Sequence, residues 1–186
     1  MISSLFKLKV TEPIMGCEFH NPFCLKRHGR NWPRRPPDRS IWEKMSNEKI
    51  NQMTREEWRD LGFYYDQDET KWIFVGSNSG LQNFCILLEK YAGNKKHNVI
   101  SEHDHFGPYF YLKITTWDRP VITKDAIYGR LIDFMNLSAI IKGKLNQGKS
   151  PFVIDKEYSH ENELTLLFEI KEDGFDPASI DPLLNE

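Results

Sequence analysis

Along residues 108–116 the side chains alternate. Phe110, Leu112, Ile114 and Thr116 fall on one side, and Tyr109, Tyr111, Lys113 and Thr115 on the other. A repeat of two marks a strand with one buried face, so the first set is expected to meet the core and the second to stand open. Upstream, His97 to Ser101 reads as the incoming strand of an antiparallel pair, which makes Glu102 to Pro108 the connection. Gly107-Pro108 supplies the break, because glycine tolerates angles other residues avoid and proline restricts its predecessor.

The same logic predicts a hairpin from Leu61–Asp66 and Lys71–Gly76 around the polar turn Gln67–Thr70. A further strand is expected at Glu163–Lys171, where Leu164, Leu166, Phe168 and Ile170 alternate with Thr165, Leu167 and Glu169. Helical spacing appears twice. Leu81, Phe84, Cys85, Leu88 and Tyr91 form one stripe that stops at Gly93-Asn94, and Gly76–Gly80 before it reads as a strand-to-helix turn with a Ser or Asn cap. Leu131, Phe134, Met135, Ser138, Ile141 and Leu145 form the other, widened by Leu137 and Ile140, starting near Arg130 and ending at Gly148. Thr54 and Glu57 have capping-box spacing for a short helix of one or two turns. Residues 121–129 carry no clear period.

The resulting order is β-β-α-β-β-α-β. It predicts an α+β domain in which a largely antiparallel five-stranded sheet carries two main helices. That domain is expected over residues 51–186, with Asp173–Pro177 ending regular structure and Asp176, Asp181 and Glu186 leaving an acidic terminus. Residues 1–50 differ: Leu5–Val10 reads as a short strand, but Arg27–Arg39 is rich in proline and arginine with no apolar period, so a basic, poorly ordered arm is expected. Met45 and Met53 are then alternative starts to Met1.

Composition narrows the function classes. The 186 residues carry 25 basic and 27 acidic side chains, which argues against a whole-domain electrostatic footprint for nucleic acid. A 39% hydrophobic share without a run of about 18 apolar residues excludes a spanning helix, and no secretory leader is legible, so a cytoplasmic protein is expected. The odd cysteine count, Cys17, Cys24 and Cys85, argues against a disulfide framework. Cys17, His20, Cys24 and His28 are metal-competent, yet their spacing matches no structural zinc signature.

Chemistry concentrates at Glu102-His103-Asp104-His105. If this segment is extended, His103 and His105 project to one side and can share a divalent metal, while Glu102 and Asp104 point the other way. Two histidines do not complete a site, and His97, His160 or Asp125 would have to be brought in by the fold. Acid-base catalysis by a histidine oriented by Asp104 or Glu102 is a further reading, without an accompanying nucleophile motif. Recognition is the third: acidic and imidazole groups flanked by Phe106, Tyr109 and Tyr111 have the make-up of an interface. Against all three stands a loop whose polar groups cap their own backbone.

Glu57-Trp58-Arg59-Asp60-Leu61-Gly62-Phe63-Tyr64-Tyr65-Asp66, the segment Ser101–Ile114 and the terminal Phe175–Leu184 together resemble small uncharacterised bacterial proteins, and the domain, over about residues 53–186, is similar to immunity proteins of polymorphic toxin systems. The resemblance implies a non-enzymatic domain that neutralises a cognate toxin by covering its active site. The expected partner-binding residues are Glu102, His103, Asp104, His105, Tyr109 and Tyr111, facing a basic, nuclease-like protein, with no cofactor, membrane or nucleic acid. The alternative is a metal-dependent enzyme built on His103 and His105.

Overall fold

Residues 46–109 and 111–185 are described by a computed structural model of the chain. The expectations for the strand at Leu5–Val10, the basic arm, the Cys17/His20/Cys24/His28 set, Met45 and Phe110 lie outside the described residues.

Helix α1 spans Asn47–Leu61. It begins two turns before the expected start at Thr54, because Ser46 caps it by accepting the Lys49 N–H at 3.3 Å. Trp58 is its one buried residue, so the sequence carries little apolar period over its length. Gly62, at φ 86°, ends it and turns the chain into the expected hairpin, β1 Tyr64–Gln67 and β2 Lys71–Ser77. Helix α2, Asn78–Gly93, follows directly, with Ser77 Oγ accepting the Gly80 N–H at 3.1 Å.

Strand β3 is His103–Phe106 and β4 is Leu112–Thr116, paired antiparallel. The incoming strand is therefore not His97–Ser101. Lys95–His97 makes a 3-10 turn and Ser101 takes a left-handed φ of 70°; the Ser101 N–H still donates to the Thr116 carbonyl at 2.9 Å, but the regular ladder starts at His103. Residues 121–129 supply two very short strands, β5 Val121–Ile122 and β6 Ile127–Gly129. Helix α3 runs Leu131–Asn146, close to expectation, and β7 Phe152–Ile154 and β8 Thr165–Lys171 complete the strands.

These strands make two four-stranded sheets in the orders β1-β2-β8-β7 and β3-β4-β6-β5, not one five-stranded sheet. The α+β class stands. The partition differs because β8 lies parallel to β2, with Phe74 beside Phe168, while β4 takes β6 as its parallel neighbour, with Ile114 beside Ile127. Both central pairs are parallel within otherwise antiparallel sheets.

The core follows from the aromatics. Phe84 of α2 stacks on Phe74 at 4.6 Å, Phe74 on Phe168 at 4.9 Å, and Phe168 on Phe152 at 4.9 Å, so α2 covers the first sheet through one column of rings. Each such burial contributes about 1.5–3 kcal/mol. At its far end α2 reaches the second sheet: Tyr91 meets Phe134 of α3 edge-on at 5.2 Å, and its hydroxyl donates to the Glu102 carbonyl at 2.7 Å. Helix α3 packs along α2, and Asn78 of α2 donates to the Leu145 carbonyl near the end of α3.

Residues 172–185 are not a free acidic tail. Asp176 and Asp181 each cap a 3-10 turn, Pro177–Ile180 and Pro182–Leu184, and this segment grips α1: Arg59 forks onto Asp176, and Arg55 donates to the Leu184 carbonyl at 2.6 Å. No described helix is long and apolar enough to cross a membrane.

Candidate functional site

Strand β3 sorts the central cluster by alternation. Asp104 and Phe106 turn inward and are buried, whereas His103 and His105 stay half-exposed on the opposite face. Asp104 is 8% exposed and meets His97 Nε2 at 3.2 Å. His97 is held from the other side by its Nδ1, 2.9 Å from the Tyr91 carbonyl, and its ring stacks on Tyr91 at 4.0 Å. Nε2 also lies 3.3 Å from the Asn94 amide nitrogen, so the Asp104 contact is one of three that fix the edges of the ring. It ties β3 to the end of α2. Asp104 thus leaves the expected acidic surface, and Glu102, half-buried, remains as the carboxylate on that side.

The outer face of the second sheet is assembled by register. His103 lies opposite Thr115, His105 opposite Lys113, Thr115 beside Tyr128, and Tyr128 opposite Val121. Trp117 adds its ring 6.0 Å from that of Tyr128. His103 Nδ1 is 3.0 Å from the Ser101 carbonyl. A carbonyl only accepts, so Nδ1 carries the proton and Nε2 of the neutral ring keeps its lone pair. The left-handed turn at Ser101 aims that carbonyl.

Lys113 and Tyr128 share the Asp125 carboxylate electrostatically. Burial alone would raise Asp125, but hydrogen bonds from Thr123 and Tyr128, with Lys113 nearby, bring it below the usual carboxylate range. Burial, reinforced by Asp125, pushes the Tyr128 hydroxyl well up. Thr115 departs from the expected open face. It is 4% exposed, and its hydroxyl has no hydrogen-bond partner among the described residues.

The two tyrosines just before β4, which starts at Leu112 and not at Pro108 as expected, separate. Tyr111 is 66% exposed, whereas Tyr109 donates its hydroxyl to Asp181 at 2.7 Å and packs edge-on against Trp58. Burial and the Asp181 charge raise the Tyr109 hydroxyl far above its ordinary value. Tyr109 is therefore tied into the C-terminal clamp, with its ring 6.1 Å from that of Tyr111.

Among the described residues no group of three or more His, Cys, Asp or Glu side chains is arranged to hold a metal ion. Of the residues named to complete a set with His103 and His105, His97 lies with Asp104 on the inner side and Asp125 is engaged by Thr123 and Tyr128. Elsewhere, a cleft of about 520 Å³ opens at the start of α2, lined by Arg59, Ser77, Ser79, Asn83 and Asp176. Arg59 there is paired with Asp176 at 2.7 Å, which opposes anion capture.

Lys113, Trp117 and Tyr128 belong to this face and were not among the expected site residues. The alternation of β4 already grouped Lys113 with the tyrosines; Tyr128 lies on a three-residue strand, too short to show a period.

No protein family, curated protein or solved structure matches the chain. The resemblance to immunity proteins therefore rests on the residues quoted for it above.

Proposed function

We propose that this chain is a non-enzymatic protein-binding domain, of the immunity type that neutralises a toxin by covering its active site. One observation carries the reading: the second sheet has its inner face on the core and offers its outer face, where Trp117, Tyr128 and the half-exposed His103, His105 and Lys113 lie together, with Tyr111 at one end. Aromatic anchors set among polar groups are the composition of interface hot spots. The charge argument is narrower than the sequence implied. Asp104 is spent inside on His97 and Glu102 is half-buried, so the reading leans on the aromatics and imidazoles of the outer face more than on acidic charge.

The test is co-expression with a toxin encoded beside this gene. Rescue of growth and a one-to-one complex are expected, with affinity reduced by about tenfold or more in Tyr111→Ala and in Glu102→Lys. Charge reversal at Asp104 is uninformative, because it would break the contact to His97. No rescue, or a complex indifferent to both substitutions, would overturn the proposal.

A further inference from the structure

Given the binding role above, on which this rests, we propose that one end of the second sheet, where β4 and β6 stop and β3 starts, docks an acidic protein segment bearing apolar side chains. Backbone hydrogen bonds bring the pieces of this end together. The Ser101 N–H donates to the Thr116 carbonyl at 2.9 Å, which sets the turn before β3 beside the end of β4. The Trp117 N–H donates to the Gly129 carbonyl at 2.9 Å, one residue before the cap of α3.

Three elements leave apolar side chains in water here. Val99 is 61% exposed and Ile100 53%, both in the turn; Trp117 is 36% exposed past β4, and Ile132 57% in the first turn of α3. Met135, one turn further along the helix, is also exposed, so half of the large exposed apolar side chains among the described residues belong to this end. The turn does not require them. Turn tips ordinarily carry Gly, Asn, Asp or Ser, and Ser101 already supplies the left-handed residue, yet two adjacent aliphatics occupy the positions before it. Apolar groups gathered in one place, unlike single scattered ones, mark an interaction site.

Charge selects the occupant. Lys90 in the last turn of α2, and Lys95 and Lys96 in the 3-10 turn that leads to Val99, are exposed and form no ion pair among the described residues. The arginines nearby are matched, Arg130 by Asp133 and Arg119 by Glu161, and Asp104 faces His97 inside. Acidic side chains outnumber basic ones over residues 46–186, so three unpaired lysines beside an apolar group run against the sign of their domain. They are complementary to carboxylates that flank apolar side chains. Asp118, exposed beside Trp117, weighs against the uniform negative charge of a lipid surface or a nucleic acid, whereas a peptide segment can alternate acidic and apolar positions around it. Any basic group of the partner falls against Glu102, and its acidic ones fall here.

In the experiment the full chain is panned with a phage library of short random peptides, and affinities of the enriched peptides are measured by fluorescence anisotropy. Sequences combining Asp or Glu with aliphatic or aromatic residues are expected. Lys95→Glu with Lys96→Glu should weaken them at least about tenfold, as should Ile100→Ser and Ile132→Ser, all with native circular dichroism. Lys95→Arg with Lys96→Arg should keep the affinity. Lys149→Glu with Lys156→Glu, the same change in net charge placed beyond the far end of α3, should change it by less than about twofold at physiological salt.

Enriched peptides without acidic residues, binding indifferent to the first three variants, an equal loss in the distant lysine pair, or no enrichment would each overturn the proposal. So would binding of phosphatidylserine vesicles or a single-stranded oligonucleotide in preference to the peptides. Growth rescue and Tyr111→Ala are not read here, so this failure is distinguishable from that of the functional proposal.

Discussion

Trp58 Nε1 donates to Asp181 Oδ2 at 2.6 Å across 123 residues of sequence. The same carboxylate receives the Tyr109 hydroxyl at 2.7 Å and the Leu183 N–H at 3.0 Å, and Asp181 is 1% exposed. One buried acid thus joins α1, the turn before β4 and the C-terminal segment. Asp181→Ala leaves several donors without an acceptor where water does not reach, at a cost of about 3 kcal/mol, and Asp181→Asn, which keeps one oxygen, should lose roughly half as much. Urea unfolding followed by tryptophan fluorescence measures both. A loss below about 1 kcal/mol in the alanine variant would show that the carboxylate does not hold these elements together.

Two glycines separate close packing from open space. A Cβ on Gly80 would lie 2.0 Å from the Gly62 carbonyl oxygen, where α2 begins against the end of α1; a Cβ on Gly143 would meet nothing within 4 Å. Gly80→Ala should therefore destabilise strongly, by about 3 kcal/mol or more, as overpacking against backbone does. Gly143→Ala, inside α3, should stabilise by about 0.5–1 kcal/mol through helix propensity and a less flexible unfolded chain. Thermal midpoints moving in opposite directions are the readout, and a shift of the same sign in both would contradict the packing described.

Thr115 tests the hidden hydroxyl between His103 and Tyr128. Replacing a buried, unpartnered hydroxyl by a methyl of similar shape removes a desolvation cost, so Thr115→Val should be neutral or stabilising by up to about 1 kcal/mol. Valine also suits a strand. A loss of more than about 1 kcal/mol in chemical denaturation would mean that the hydroxyl makes a bond the fold depends on.

Acid stability has a nameable contributor in Asp133, which receives the Arg130 backbone N–H at 2.8 Å and its guanidinium at 2.9 Å at the start of α3. Burial alone would raise this carboxyl, but the Arg130 side-chain and backbone bonds more than offset it, and its pKa lies below the ordinary value. The folded-state value being the lower one, the contact stabilises fully above the unfolded pKa of about 3.9 and is lost as pH falls through the folded value. Asp133→Asn should cost about 1 kcal/mol at neutral pH, with Arg130 largely in solvent, and flatten the acid limb of stability against pH. An unchanged acid limb would rule this contact out.

Side-chain periodicity made much of the local structure legible. The β1–β2 hairpin, α2 and α3 lie close to their expected positions because each has a run long enough to show its repeat. Helix α1 was foreshortened because only Trp58 of its fifteen residues is buried, so its first two turns carry no apolar signal. Met135, read as part of the inner stripe of α3, is 43% exposed, since Asp133, Leu137 and Ser138 turn inward beside Phe134.

At the central cluster, alternation foretold that an extended segment would put His103 and His105 on one side and Asp104 on the other. It did not say that His97 waits beneath to take the carboxylate, because that contact joins the end of α2 to β3 across a left-handed turn at Ser101. Nor did it distinguish Tyr109 from Tyr111, which are alike in sequence and part only because Asp181 captures the first.

The amino-acid order by itself determined the longer periodic segments, the β1–β2 hairpin, α2, α3 and β8, and most of their apolar positions, since those follow from backbone geometry acting over a few neighbours. Only the tertiary structure decided that β8 and β6 insert as parallel partners and so split the strands into two sheets, that Asp181 buries itself under Trp58 and Tyr109, and which polar groups of the central cluster remain outside. These outcomes depend on hydrogen bonds and packing between residues remote in the chain, which no local period encodes.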